Sequence, residues 1–145
     1  MKSMKPIQIV IDTNVIVSAF RSSLGASYTL MQSIGDPRWQ MNISTSLALE
    51  YEASLKREFS RQGRPLVLVE EAVDGFLSAA NQRGIVHRVR PILRDPADDF
   101  VLELAIESAA SYVVTYNLRH FKGVEAFGIE AIRPWDFLKV IEVAQ

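Results

Sequence analysis

The sequence predicts an α/β protein in which helices cover both faces of a parallel sheet. Short apolar runs alternate with longer stretches of helical periodicity, and this alternation is typical of parallel sheets with helical connections. The first run, residues 7–11, is rich in β-branched residues, as expected for a strand buried on both faces. It ends at a carboxylate, Asp12, and open α/β sheets bind their ligands at the carboxyl ends of strands.

Two predicted helices and a second strand follow. One helix begins next to Asp12, with Asp12 or Thr13 as its cap. Another, residues 26–34, ends at Gly35-Asp36-Pro37, a combination that stops helices and forms turns. Residues 39–43 are predicted to form the next strand.

A long helix is predicted from Ser44-Thr45-Ser46, which offers capping side chains, to about Arg61. Its buried stripe consists of large apolar residues that recur every four positions: Leu47, Tyr51, Leu55 and Phe59. Glu50 lies on the border of this stripe, whereas Glu52 points away from it. Glu50 is therefore the acid that can lean into a cleft, and Glu52 is predicted to be a solvated surface charge.

The second half of the chain continues the alternation. Asp95 is a suitable helix cap because Pro96 would occupy the first helical position, where a missing N–H costs nothing. Thr115 ends a short apolar strand, much as Asp12 ends the first. The predicted elements are a helix at 67–82, a strand at 85–89, a helix after Asp95, a strand at 112–115, a helical turn at 117–121, a strand at 129–132 and a helix at 135–141.

The composition predicts one globular, cytoplasmic domain covering residues 1–145. With 48% hydrophobic and 23% charged residues, the chain can bury a substantial core. We expect no membrane association, because there is no signal-peptide core and no apolar run near the roughly 20 residues that span a bilayer. The lack of cysteine excludes disulfides and thiolate metal sites. A net charge of −1 provides no global basic field for nucleic acid, although a local basic patch can suffice.

Acids at the ends of several predicted elements could converge in one cleft. They are Asp12, Glu50 and either Asp98 or Asp99, and Asn117 could join them from a later strand end. Carboxylates in one cleft repel each other unless a cation neutralises them. Oxygen ligands without cysteine or a paired-histidine motif favour Mg²⁺ or Mn²⁺ over Zn²⁺. Such an ion can activate water for an in-line displacement at a phosphodiester.

Each of these residues also has a purely structural interpretation. Asp12 could simply cap the following helix, and Asp98 could make a reciprocal capping contact or favour the helix dipole. Glu50 could be a boundary surface residue, and Asn117 a turn residue. Only their combination predicts a catalytic site.

The histidines and the basic residues suggest no site by themselves. We interpret His87 and His120 as surface or packing residues. The basic residues fall into two groups that we interpret as solvated faces, although either could contact phosphates: Arg83, Arg88, Arg90 and Arg94, and Lys56, Arg57 and Arg61.

Four segments in order resemble the motifs of PIN domains. Ile11-Asp12-Thr13-Asn14-Val15 resembles the opening motif, and Ser46-Leu47-Ala48-Leu49-Glu50-Tyr51 the second. Asp95-Pro96-Ala97-Asp98-Asp99 is similar to the third, and residues 113–121 are similar to the fourth. The resemblance spans residues 7 to about 135. It looks closest to the VapC-like branch, described as toxin components of toxin–antitoxin systems.

The resemblance implies a three-layer α/β/α sandwich and a Mg²⁺- or Mn²⁺-dependent endoribonuclease that cleaves single-stranded RNA. It implies that Asp12, Glu50 and Asp98 hold the metal, with Asp99 as a neighbouring acid. An antitoxin protein as partner and a homodimer are also implied by the resemblance.

The same resemblance assigns supporting roles around the acids. Thr13, Asn14 and Thr115 would orient the metal ligands by hydrogen bonds. Asn117 stands where the family often has aspartate. Its carbonyl oxygen can still coordinate, but it lacks the negative charge, so a second metal and full activity depend on this position.

Two other functions are compatible with the same residues. One is a catalytically weak PIN-like module that binds RNA or a protein, suggested by Asn117 and the near-neutral net charge. The other is a phosphohydrolase or receiver-like domain in which Asp12 is phosphorylated. The second is disfavoured because Asn14 interrupts the Asp-x-Asp pair and because Lys122 and Lys139 are poorly placed for a receiver lysine.

Overall fold

The computed structural model describes residues 5–83 and 96–143, with the side chains of residues 83 and 96–98 excepted. In chain order the elements are β1 (Ile7–Ile11), α1 (Thr13–Arg21), α2 (Ala26–Gln32), β2 (Trp39–Ser44), α3 (Thr45–Gln62), α4 (Val67–Ala79), β3 (Asn81–Arg83), α5 (Pro96–Glu107), β4 (Tyr112–Val114), two 3₁₀-helices (Leu118–Phe121 and Val124–Phe127), β5 (Glu130–Ile132) and α6 (Pro134–Val143).

The strands form a parallel sheet in the order β3-β2-β1-β4-β5. β1 is central, with β2 on one side and β4 on the other. The chain builds outward from β1 to β3 and then crosses to β4, so the strand order reverses between β1 and β4. A crevice forms outside the carboxyl ends of two such strands. The predicted α/β/α sandwich with a central parallel sheet is confirmed.

The position of β1 follows from its composition. Ile9, Val10 and Ile11 are fully buried, and so are Val113 and Val114 on the adjacent strand. Burying each aliphatic side chain of this kind stabilises the fold by about 1.5–3 kcal/mol. An acidic substitution at Val10 would therefore disrupt the centre of the sheet, because it would bury an uncompensated charge.

The long helix α3 matches its predicted stripe and caps. Leu47, Tyr51, Leu55 and Phe59 are all buried. Ser44 caps the amino terminus, its hydroxyl accepting a hydrogen bond from the Leu47 amide at 3.2 Å. At the other end, Gly63 has a φ of 70°, the left-handed conformation that glycine adopts without strain. These local signals suffice to define the helix.

One predicted helix end is wrong. The helix predicted at 67–82 ends at Ala79, and residues Asn81–Arg83 form β3, which pairs with residues 42–44 of β2. These three residues are polar and show no strand periodicity, so pairing with β2 determines their conformation. The strand predicted at 85–89 and the cap predicted at Asp95 lie outside the described residues.

The remaining differences are small. Of the two caps predicted for α1, the N-cap is Asp12 and Thr13 is the first helical residue; the helical turn predicted near 117–121 is a 3₁₀-helix. The second 3₁₀-helix, Val124–Phe127, was not predicted. Within the described part of the chain, none of the helices combines the length and apolarity needed to cross a bilayer.

Candidate functional site

Asp12 lies in the crevice between the carboxyl ends of β1 and β4. Its amide donates to the Val114 carbonyl at 2.9 Å, which continues the pairing of the two strands beyond β1. Its carboxylate caps α1, with Oδ1 accepting from the Thr13 amide at 2.9 Å. The side chain is 7% exposed. Asp12 is therefore both a helix cap and a carboxylate at the ligand-binding edge of the sheet.

The second carboxylate oxygen of Asp12 joins a network that spans the crevice. Oδ2 accepts from the Thr115 hydroxyl at 2.8 Å and from Asn14 Nδ2 at 3.3 Å. Thr115 Oγ1 in turn accepts from the Asn117 amide at 2.9 Å, and Asn14 Oδ1 accepts from the Tyr116 amide at 3.3 Å. These donors carry no formal charge, so they orient the carboxylate without neutralising it.

Glu50 reaches the same edge of the sheet from α3. It is half-buried, and its Oε2 atom is buried. Its neighbour Tyr51 is fully buried and donates its hydroxyl hydrogen bond to the carbonyl of Ile11, the residue before Asp12. Burial raises the pKa of Tyr51 well above its usual value, and the negative charges of Asp12 and Glu50 raise it further. Both carboxylates therefore lie near one buried hydroxyl.

Helix α5 brings further acids to the sheet. It packs against β1, β2 and β4, and Asp99 on its first turns is 2% exposed. The side chain of Asp98 is outside the described residues. Glu103, one turn after Asp99, is also buried, and sequence reasoning missed it. The signal was available, because residues four apart share one face of a helix.

Asn117 reaches the network through its main chain. The residue is exposed, and its side chain makes no capping hydrogen bond to the 3₁₀-helix that follows. Thr13, by contrast, is buried, and among the described residues its hydroxyl has no hydrogen-bond partner. Two other predictions concern Glu52 and His120. Glu52 is half-buried and pairs with Lys56 at 3.7 Å, and His120 is exposed, as predicted.

The donor chemistry of the crevice fits a hard divalent cation. Carboxylate and hydroxyl oxygens line it, and the partnerless Thr13 hydroxyl suits a bound water or another polar ligand. Over residues 5–82 and 99–143, where side chains are described, no three acidic or histidine side chains are grouped closely enough to hold a metal. A cation held by Asp12 and Glu50 would therefore take its further ligands from residues outside this described set or from solvent.

Comparisons with known proteins agree with this architecture. Residues 8–119 match the family model of the PIN domain. A chain in the crystal structure of VapBC2 from Rickettsia felis, bound to a DNA fragment from their promoter, superimposes with a TM-score of 0.60 and 16% identity. The match covers 88% of this chain and 98% of that chain. At this identity the likeness concerns the fold alone. No curated protein matches the sequence at a significant level.

Proposed function

The chain belongs to the PIN domain family, and from this premise we propose that it is a Mg²⁺- or Mn²⁺-dependent endoribonuclease. Its substrate is single-stranded RNA. Its biological role is the toxin of a type II toxin–antitoxin pair in the cytoplasm, where a cognate antitoxin protein binds it and a homodimer forms. The likeness in fold to a chain of the VapBC2 complex supports the choice of an antitoxin as partner.

The observation that carries the proposal is the environment of Asp12. A buried carboxylate stands at the switch point of a parallel sheet, oriented by a backbone amide, a hydroxyl and a side-chain amide. These donors hold the carboxylate in one orientation, as supporting hydrogen bonds do for metal ligands. Glu50 adds a second carboxylate near the same point, as its effect on the pKa of Tyr51 indicates.

The residues divide into ligands and supporting groups. Asp12, Glu50 and an acid from the start of α5 would hold the cation, while Thr115 and Asn14 fix the Asp12 carboxylate. When bound, the cation lowers the pKa of a water and offsets negative charge on the phosphodiester. Thr13 would offer its buried hydroxyl to a polar group in the crevice.

The third acid is Asp98 or Asp99. The resemblance favours Asp98. Asp99 is buried, but it forms no three-acid group with Asp12 and Glu50 that is close enough to hold a metal, so we keep it as a neighbouring acid.

Replacing Asp12 tests the proposal. Asp12→Asn keeps a good helix cap and removes the charge, so the melting temperature should change little. Cleavage of single-stranded RNA in Mg²⁺ or Mn²⁺ should fall by more than about a hundredfold, because even groups that only support metal ligands contribute about ten- to a hundredfold. Gel-based cleavage assays and calorimetric Mn²⁺ titration measure the two effects.

The matched control is Asp74→Asn, which makes the same change at an exposed position on α4. It should leave both cleavage and Mn²⁺ binding at the level of the wild type. RNA cleavage by Asp12→Asn at the wild-type rate would contradict the mechanism.

The second candidate function is a catalytically weak PIN module that binds RNA or a protein. The exposed and uncharged Asn117 favours it, since one ligand charge is missing at that position. Calorimetry on the wild-type protein separates the two functions. Heat of Mn²⁺ binding with metal-dependent cleavage supports the nuclease, whereas no heat at millimolar Mn²⁺ supports the binding module.

A further inference from the structure

A groove between α1 and α3 continues from the Asp12 crevice and has a volume of about 440 Å³. One stripe of each helix lines it. Thr13 and Asn14 at one end belong to the Asp12 network, and Arg21 lies two turns further along α1, roughly 12 Å away. The lining residues are Thr13, Asn14, Val17, Arg21, Ser54, Arg57, Glu58 and Arg61.

A buried carboxylate at the bottom of the groove orients two of its arginines. Glu58 is 4% exposed and accepts hydrogen bonds from Arg21 Nε at 2.9 Å, from Arg61 and from Gln62 Nε2 at 2.6 Å. The Arg61 guanidinium, more than the other donors, holds the pKa of Glu58 near 2. The side chains of Arg21 and Arg61 remain 59% and 63% exposed. Each guanidinium has five N–H donors, so several still face solvent.

The third arginine of the groove has a different environment. Arg57 is exposed and donates to the Ser54 hydroxyl at 3.0 Å, and none of the described acids pairs with it. Three arginines and one glutamate give the lining a net charge of +2, although the whole chain carries −1. Positive charge is therefore concentrated next to the Asp12 crevice, where it attracts phosphates despite the acidic total.

We propose that this α1–α3 groove binds the phosphodiester backbone of the RNA strand beside the cleavage site. Arg57 contacts a phosphate directly, and Glu58 is a positioning residue that presents Arg21 and Arg61 to the same strand. The inference rests on the proposed function, because the strand is its substrate. Arginine forks match phosphate oxygens bidentately. The polar lining suits a phosphate backbone better than the apolar face of a partner helix, which docks in hydrophobic grooves.

The binding test uses a short, fluorescein-labelled single-stranded RNA of mixed sequence and the wild-type protein in EDTA. Fluorescence anisotropy over a range of salt concentrations gives the affinity and its salt dependence without cleavage. Arg57→Gln should weaken binding about three- to tenfold and reduce the slope of log K against log salt by about 0.7, the value of one lost contact to a single-strand phosphate.

Lys56→Gln is the matched control, because it removes the same charge from the preceding position of α3. Lys56 does not line the groove and pairs with Glu52. It should leave the affinity and the slope near their wild-type values. Equal losses in the two variants would overturn the proposal in favour of a nonspecific effect of net charge.

Glu58→Gln tests the positioning role separately. This change raises the charge of the lining by one, so a purely electrostatic groove would bind RNA more tightly. We expect weaker binding and a smaller salt slope instead, because Arg21 and Arg61 lose the carboxylate that orients them. Unchanged or tighter binding by Glu58→Gln would overturn the role of Glu58.

RNA binding by the groove and RNA cleavage at the crevice can fail independently. If Arg57→Gln weakens RNA binding but the wild type cleaves no RNA in Mg²⁺ or Mn²⁺, the nuclease proposal is contradicted and the proposal for the groove is supported. If RNA is cleaved but Arg57→Gln does not change the affinity for RNA, only the proposal that the groove binds RNA is contradicted. Polyglutamate is the probe for an acidic protein segment: Arg57-dependent binding of polyglutamate without RNA binding would overturn the choice of RNA.

Discussion

Two buried carboxylates in neighbouring parts of the molecule accept hydrogen bonds from groups of different charge. Glu58, between α1 and α3, is held by two guanidinium groups and by the Gln62 amide. Asp12, at the end of β1, is held by a backbone amide, a hydroxyl and the Asn14 amide. Burial is similar, but the two guanidinium groups at Glu58 carry positive charge, whereas these three donors to Asp12 carry none. Two carboxylates of similar burial can therefore differ in the charge of the groups that hold them.

The two carboxylates also differ in what holds them in place. Asp12 is fixed by main-chain groups: the amide of Thr13 bonds to its carboxylate, and its own amide bonds to β4. Glu58 depends on long arginine side chains that are more than half exposed. The Asp12 crevice is therefore preorganised by the backbone, and the Glu58 cluster is adjustable, as the proposed binding of RNA strands of different sequence would require.

Among the variants that test this comparison, the largest effect is expected for the acid that we propose as a further metal ligand beside Asp12. Asp98→Asn and Asp99→Asn form a matched pair at adjacent positions. If the buried Asp99 is the ligand, Asp99→Asn lowers Mn²⁺ affinity by about ten- to a hundredfold while Asp98→Asn changes it little. Calorimetric titration measures both. The opposite order would assign the role to Asp98, and no loss in either variant would remove α5 from the site.

A smaller effect is expected from the hydroxyl that joins α3 to the end of β1. Tyr51→Phe leaves the Ile11 carbonyl without this donor in a buried place, so the free energy of unfolding should fall by about 1–2 kcal/mol. Urea denaturation measures it, and Tyr28→Phe on the exposed surface is the control. Equal stability of wild type and Tyr51→Phe would show that α3 does not hold the backbone beside Asp12.

The smallest effect concerns how the stability contributed by the Glu58 cluster depends on pH. The folded pKa of Glu58 is about 2, below its usual 4.5, so its contribution to stability is complete above pH 4.5 and is lost as pH falls towards 2. The melting temperature of wild type should exceed that of Glu58→Gln at neutral pH, and the gap should close between pH 4.5 and 2. Exposure of the arginines keeps the gap small.

Asp36 does not disturb this comparison. The pKa of Asp36 is also near 2, because of the hydrogen bond from Arg38. Asp36 is present in both the wild type and Glu58→Gln, so its effect cancels in the difference between their melting temperatures. A difference in melting temperature between wild type and Glu58→Gln that stays constant down to pH 2 would show that the charge of Glu58 contributes nothing to stability. The contrast with Asp12 would then lie in geometry alone.

Several features of the site follow from local sequence. The choice of Glu50 over Glu52 rested on helical phase. Both residues are half-buried, but the Oε2 atom of Glu50 is buried, whereas Glu52 pairs with Lys56. The same reasoning could have found Glu58, which is three residues after Leu55 and seven after Tyr51 on the buried stripe. It was missed because charged residues at such positions are ordinarily assigned to the surface.

The sequence by itself determined the central strand, a cap for α1 at Asp12 or Thr13, and the buried stripe of α3. Each of these depends on periodicity or capping among residues a few positions apart. Only the tertiary structure brought Thr115 to Asp12 across 103 positions and Arg21 to Glu58 across 37. It also made a strand of Asn81–Arg83. Such contacts depend on how layers pack and strands pair, and no short-range pattern encodes that geometry.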